Sequence, residues 1–285
     1  MTAGLIAGVS LFFSAAWVLQ ADSAEKPSDA EALVREMVRA ETKAQLNDHS
    51  LWRYREIINR GGRKETRDVV QTQSGTLDRL VAVDGERLDS HQQQKEDQRV
   101  HRLATNSNDL AKAKRETSED AERERRLLQM LPDAFHYQEQ GTEDGLIHLK
   151  FSPNPDFRAS TREAMVFHHL TGDLWINSQA KRLARISGTL NSEVKFGGGL
   201  LGHLNRGGTF SVRQQDVGNG TWEMTNLDVQ MSGKALFFHS ITVHQTQECS
   251  DFRPVNSGIT PEQAAAMLKQ NQQAEARANP ASQKK

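Results

Sequence analysis

The chain of 285 residues has a single cysteine, Cys249. One thiol excludes an intramolecular disulfide framework and any zinc or iron–sulfur site built from several cysteines. The chain also lacks an excess of charge of one sign, because 36 lysines and arginines stand against 37 aspartates and glutamates. This balance argues against a dedicated nucleic-acid-binding protein, which carries a basic excess. The apolar content of 36% argues against a highly charged disordered chain.

The signatures of several enzyme classes are also missing. The chain has no H-E-x-x-H zinc motif and no G-x-S-x-G nucleophile elbow. Residues 197–202 match G-x-G-x-x-G, but the polar and glycine-rich residues 205–208 leave no room for the helix that dinucleotide binding requires. We therefore expect no cofactor. We expect a loop at 197–208 that exposes Leu200 and Leu201, either as the mouth of a cavity or as a plain connection.

Histidine and cysteine chemistry is only weakly indicated. His168 and His169 are adjacent, and neighbours on a strand point to opposite faces, so the pair is not expected to chelate one ion. His239 shares a predicted strand face with Phe237, which is typical of a core histidine. Cys249 follows a polar strand end that offers no cause for a lowered pKa. We expect no metal site and no enzymatic activity.

An uncharged segment occupies residues 3–21. It is long enough to span a bilayer, and the small residues Ala21 and Ser23 occupy the −3 and −1 positions of a cut before Ala24. We predict a cleaved signal peptide at 1–23, with an uncleaved N-terminal membrane anchor as the alternative. No cysteine lies near the cut, which excludes lipid attachment there. A neutral, exported, disulfide-free chain favours a bacterial periplasm.

The first part of the mature chain combines a short helix with a strand meander. Ser28 and Glu31 have the spacing of a capping box at the start of an amphipathic helix that reaches about Gln45. From Trp52 the apolar residues alternate as in strands, up to the two-residue turn signal Asp84-Gly85. The stripe of the helix is expected to cover these strands.

The remaining chain is predicted to be one long helix, an antiparallel sheet and a C-terminal helix. Residues 92–131 place apolar side chains at helical intervals among mixed charges, which predicts one long charged helix that ends at Pro132. The strand signals that follow are separated by turns without helical patterns, which favours a single antiparallel sheet. Thr260-Pro261 then begins a last helix with a polar tail.

Several predicted strands are apolar on both faces, as in Leu-Trp-Ile at 174–176 and Ala-Leu-Phe-Phe at 235–238. A strand of this kind packs on two surfaces or lines an apolar cavity. On an open, curved antiparallel sheet, a concave face lined in this way accepts acyl chains or another apolar ligand. The plainer interpretation, a sheet core packed against helices, must account for most of these side chains.

The segments Gly-Asp-Leu-Trp-Ile-Asn at 172–177 and Arg-Leu-Ala-Arg-Ile-Ser-Gly at 182–188 form a hairpin pattern. In this order of elements, the pattern resembles the LolA/LolB-like family of periplasmic outer-membrane lipoprotein-sorting proteins, over about residues 28–255. The resemblance implies an α+β fold: an incomplete, half-open antiparallel β-barrel with helices covering its open side. It also implies a hydrophobic cavity for lipids or lipoprotein acyl chains.

We accordingly divide the chain into a signal peptide at 1–23, a half-barrel domain at 24–255 with the charged helix 92–131 inserted, and a C-terminal helix and tail at 256–285. The predicted function is a periplasmic carrier or chaperone that binds a lipid or an acylated lipoprotein, with envelope membrane proteins as further partners and no nucleic acid. The predicted cavity-lining residues are Trp175, Phe196, Leu200, Leu201, Phe210, Trp222 and Phe237.

Two alternatives remain open. The first is a protein-interaction or stress-sensing module of the same fold, which uses the charged helix as a binding arm and has a filled interior. The second is an exported hydrolase with a dispersed site, in which acidic residues converge with His168 or His169 in a polar pocket.

Overall fold

The computed structural model describes residues 29–235 and 239–278. The first half of the chain forms α1 (Asp29–Asn47), β1 (Leu51–Arg60), β2 (Arg63–Thr72), β3 (Gly75–Val83), β4 (Glu86–Arg87), α2 (Ser90–Thr105) and α3 (Ser107–Ala134). The second half forms β5 (Phe135–Glu143), β6 (Leu146–Pro153), a 3-10 helix (Glu163–His169), β7 (Leu170–Asn177), β8 (Leu183–Leu190), β9 (Val194–Phe196), β10 (Gly202–Leu204), β11 (Thr209–Gly218), β12 (Thr221–Ala235), β13 (His239–Val255) and α4 (Pro261–Ala278).

All the strands belong to one antiparallel sheet. Its order is β4-β3-β2-β1-β13-β12-β11-β8-β7-β6-β5, and the short strands β9 and β10 branch from β12. Because β4 and β5 do not pair with each other, the sheet is not closed. The predicted α+β half-open barrel with antiparallel strands is therefore confirmed. The turn Asn219-Gly220 joins β11 to β12 with φ angles of 56° and 78°, which is the backbone that a two-residue hairpin turn needs.

The predicted charged helix at 92–131 has different bounds in the structure. It is divided at Asn106, whose side chain accepts hydrogen bonds from the backbone N–H groups of Asn108 and Asp109. The cap stabilises a new helix start, because it satisfies N–H groups that would otherwise be unpaired in the first turn. Pro132 does not end the second helix, which continues to Ala134.

The two faces of the sheet can be followed through the strand register. Leu174, Ile186, Val212, Leu227, Gln247 and Ile58 are consecutive partners across six strands and therefore lie on one face. In β2, Val70 is paired with Arg53 of β1. Arg53 lies five residues before Ile58, and an odd separation along a strand places two side chains on opposite faces.

Each face has its own apolar core. On the face of Leu174, α1 and the end of α3 bury the sheet through side chains such as Val34 and Met37. On the face of Val70, the sheet is covered by α2 and α4, whose Leu268 is fully buried. We call these the α1 face and the α4 face. Each fully buried Leu, Met or Val contributes about 1.5–3 kcal/mol to stability.

Helix α3 connects the two cores. Its first turns pack Leu110 into the core of the α4 face, and its last turn packs Leu131 and Ala134 into the core of the α1 face. From Leu110 to Ala134 the helix rises by about 36 Å, and most side chains at 111–126 are exposed. The helix therefore reaches from the β2–β3 hairpin to β5, near the two edges of the open sheet.

A buried ion pair fastens α1 to the hairpin between β7 and β8. Glu41 accepts hydrogen bonds from Nε of Arg182 at 2.8 Å, from Nη2 of Arg182 at 3.0 Å and from the backbone N–H of Leu183 at 2.8 Å. The exposed fraction of the side chain is 3% for Glu41 and 12% for Arg182. Because both charges are shielded from water, removal of either side chain would leave the other as an unpaired buried charge.

No helix among the described residues is long and apolar enough to cross a bilayer. The predicted signal peptide or anchor at 1–23 lies outside the described residues, and so does Phe237.

The substitution Glu41→Gln tests the buried ion pair. It leaves the guanidinium of Arg182 buried without a carboxylate, so we expect the free energy of unfolding to fall by about 3–5 kcal/mol. The measurement is urea-induced unfolding followed by circular dichroism. The matched control is Arg35→Gln, which breaks an exposed pair with Asp133 and should cost at most about 1 kcal/mol. Equal losses for the two variants contradict the assignment.

Candidate functional site

An apolar cavity of about 540 Å³ lies on the α1 face. It is bounded by α3, by the 3-10 helix Glu163–His169 and by strands β7 and β9 to β12. Nine of its lining residues are apolar and two are charged; they are Leu127, Val166, Phe167, Leu170, Phe196, Leu201, Leu204, Phe210, Met231, Arg162 and Glu163. A volume of this size and an apolar lining with few polar groups are typical of small-molecule sites.

The cavity has a buried floor and an exposed lip. Phe167 and Leu170 are buried, whereas Phe196, Phe210 and Met231 are half-buried. Leu201 is 38% exposed at the mouth. The interior therefore presents aromatic and aliphatic surface that the side chains of residues 29–235 and 239–278 do not cover completely.

The lip is built by a glycine-rich hairpin. Gly197, Gly198 and Gly199 have φ angles of 57°, 66° and 95°, which side chains with a Cβ rarely adopt. They lead into Leu200 and Leu201, and Leu201 donates its backbone N–H to the carbonyl of Phe196 at 3.1 Å. Strand β10 then pairs with β9. The predicted loop at 197–208 thus contains a 3-10 turn at Gly197–Gly199, the strand β10 and the connection 205–208 to β11.

Three of the predicted cavity residues come together here: Phe196, Leu201 and Phe210 all line the cavity. Leu200 follows the same glycines but is 85% exposed and does not line it. Phe237 lies outside the described residues.

The two predicted tryptophans lie elsewhere. Trp175 and Trp222 line a separate cleft. Trp175 projects from the α4 face, because it neighbours Leu174 in β7, and its ring stacks on His148 with a centroid separation of 4.6 Å. The strand pattern predicted that these tryptophans line the cavity, but it did not indicate which face of the sheet they occupy.

The sequence pattern did not indicate the side of the cavity that the helices supply. Leu127 comes from α3, and Val166 and Phe167 come from the 3-10 helix. Met231 was also missed, although it alternates with Leu227 and Val229 in β12. That alternation is the only sequence signal that could have indicated it.

Two charged side chains stand at the rim of the cavity. Arg162 and Glu163 are exposed and adjacent in sequence. Hydrogen bonds from the backbone N–H of Glu163 and the hydroxyl of Thr161 lower the pKa of the Glu163 carboxyl. The carboxyl is therefore ionised at neutral pH, and the rim is polar where the interior is not.

The adjacent histidines lie on the 3-10 helix, not on a strand as expected. The ring of His168 packs against Phe157 with a centroid separation of 5.5 Å. Nδ1 of His169 lies 2.7 Å from Oγ of Ser192, and burial lowers the pKa of His169, with a smaller effect from His168. The two rings have different partners, and no group of three or more potential metal ligands occurs among the described residues.

Cys249 lies on the α1 face opposite Glu56 and is 7% exposed. Burial raises the pKa of its thiol to about 11, since the charged thiolate is disfavoured away from water. The thiol is therefore protonated and weakly nucleophilic at neutral pH.

Alkylation with iodoacetamide tests the state of Cys249. Because the thiolate is the reactive form, we expect slow labelling of the native protein at pH 8 and a steep increase only as the pH approaches 11. The modification is followed by intact-protein mass spectrometry. Labelling in urea at pH 8 is the control and should be fast. Native labelling as fast as that in urea contradicts the assigned burial and pKa.

Comparisons with known proteins do not place the chain in a family. No protein-family model matches it, and no curated protein matches it. The chain is similar to the crystal structure of a DUF1329 family protein from Desulfovibrio piger ATCC 29098, with 13% identity, a TM-score of 0.28 and coverage of 82% of this chain and 95% of that chain. A TM-score this low does not establish a shared fold. The resemblance to the LolA/LolB-like proteins stays a prediction from the sequence.

Proposed function

We propose that this protein binds an apolar ligand, a lipid or the acyl chains of a lipoprotein, in the cavity on the α1 face and holds it without chemical change. The observation that supports the proposal is the cavity itself: about 540 Å³ lined by nine apolar side chains, with both charges at the rim. On the sequence-based expectation of export, the ligand is met in the periplasm and handed on to envelope membrane proteins.

Burial of hydrocarbon supplies the binding free energy. Each methylene group removed from water contributes about 0.8 kcal/mol, so ten buried methylenes contribute about 8 kcal/mol before the entropy cost of association. No charged contact is needed to hold such a chain. A polar rim then lets the head of an amphiphile remain in water.

Entry and release are assigned to the β9–β10 hairpin. Its three glycines carry no side chains to restrain them, and its Leu201 contributes to the mouth. Movement of the turn at 197–201, between β9 and β10, opens the mouth of the cavity and leaves the pairing of β10 with β12 intact.

Binding of cis-parinaric acid, a fluorescent polyene fatty acid, tests the function on delipidated protein. Phe210→Asp places a carboxylate in the cavity. Because a bound acyl chain would remove this unpaired charge from water, the affinity for the probe should fall more than tenfold. Met231→Trp keeps the cavity apolar but fills part of it, and should favour shorter chains. The second variant keeps the test informative if the aspartate prevents folding.

Two neighbouring leucines provide a matched control. Leu201→Gln alters the mouth and should weaken binding by about three- to tenfold, in proportion to its partial burial. Leu200→Gln, at the exposed neighbouring position, should leave the affinity within about twofold. A protein that carries no lipid by mass spectrometry, ignores the probe and retains a protein partner favours the interaction module instead.

A further inference from the structure

Two arginines face each other across β8 and β11. Arg185 and Arg213 are direct partners in the register of these strands. Both project from the α4 face, since each neighbours a residue of the row on the α1 face, Ile186 or Val212. Like charges directly opposite each other destabilise a sheet. Within residues 29–235 and 239–278, neither guanidinium has a carboxylate within ion-pair distance.

Arg185 is held in place by stacking instead of by an acid. Its Cζ lies 4.6 Å from the centroid of the Trp175 ring, and the ring of Trp175 stacks on His148 with an interplanar angle of 2°. Nε2 of His148 lies 2.8 Å from Oδ1 of Asp173, which fixes the far end of the stack. Nε of Arg185 is buried and has no hydrogen-bond partner in the part of the chain that the structure describes.

A cleft opens beside the two arginines. Pairing between β8 and β11 stops at Arg185 and Arg213, and β11 continues to Gly218 with β12 as its sole partner strand among those described. The separation leaves a cleft of about 390 Å³, lined by both arginines, Trp175, Trp222 and Gln214.

The charge of the cleft is positive. One carboxylate lines it, that of Asp216. Asp216 accepts a hydrogen bond from the backbone N–H of Gly218 at 2.8 Å and forms no ion pair with Arg185 or Arg213. The lining therefore carries two permanent positive charges and one negative charge, and that carboxylate is hydrogen-bonded to the backbone and not to either arginine.

We propose that this cleft binds a phosphate group, which bridges the guanidinium groups of Arg185 and Arg213. A guanidinium presents paired N–H donors that match two oxygens of an anion. A carboxylate has only two oxygens, whereas a phosphate group has enough oxygens to engage both guanidinium groups at once. The source is a soluble phosphate or the head group of a phospholipid, and the chemistry at the arginines is the same.

The phosphate site is independent of the apolar cavity. Phe210 of the cavity and Arg213 of the cleft are three residues apart in β11, which is about 10 Å along the strand. They project from opposite faces of the sheet. The proposal therefore does not rest on the lipid-binding function, and it can succeed where that function fails.

Isothermal titration of the full chain with inorganic phosphate tests the site. Arg213→Gln removes one exposed guanidinium and should weaken phosphate binding at least about tenfold, as expected for hydrogen bonds to a charged group. Arg213→Lys keeps the charge but loses the paired donors and should retain an intermediate affinity. Asp216→Asn removes the nearby negative charge and should tighten binding by about two- to fivefold.

Arg206→Gln is the matched control, because Arg206 is an exposed arginine on the loop before β11, outside the cleft. It should leave phosphate binding unchanged. Co-sedimentation with phosphatidylcholine vesicles with and without phosphatidic acid distinguishes the two sources. Binding of phosphate or of phosphatidic acid vesicles that Arg213→Gln reduces supports the site. The absence of both, or equal losses in Arg213→Gln and Arg206→Gln, overturns it.

Discussion

The strict alternation of side chains in an unclosed antiparallel sheet is the constraint on which the remaining structure depends. The edges β4 and β5 do not meet, so the sheet does not enclose an interior of its own. The apolar rows on its two faces are therefore buried by packing against helices. Helix α1 covers one end of one face, and α2 and α4 cover the other end of the opposite face. Among the described residues no complete helix layer covers the strands between these two cores, and the apolar cavity lies at the edge of the core of the α1 face.

The same alternation explains why β11 contributes to two sites of different chemistry. Its even-numbered residues Phe210 and Val212 face the α1 side, and the odd-numbered Arg213 faces the α4 side. A one-residue shift of register would place the arginine among apolar side chains and the phenylalanine in water. The paired glycine Gly188 strengthens this register, since a Cβ there would lie 2.6 Å from Cε1 of Phe210.

Local chemistry predicted a large part of the fold. The amphipathic pattern that follows Ser28, a residue outside the described ones, predicted the helix observed as α1. The turn residues between alternating segments indicated an antiparallel sheet. The break at Asn106 was missed because the apolar positions on both sides of it keep helical intervals. The capping hydrogen bonds of the Asn106 side chain are visible only in the folded structure. The glycines at 197–199 predicted an exposed loop, but the sequence did not indicate that Leu201 lines the cavity and Leu200 does not.

The sequence by itself determined the secondary structure class, the balance of charge, the single thiol and the apolar content of the strands, because these follow from composition and from patterns over a few residues. Only the tertiary structure decided which apolar face the described residues leave partly uncovered, that the ring of Trp175 stacks on Arg185 on the α4 face, and that Leu127 and Phe167 line the same cavity as Phe210. These facts depend on contacts between residues distant in the chain. Such contacts arise when helices and strands pack together, and no local pattern encodes them.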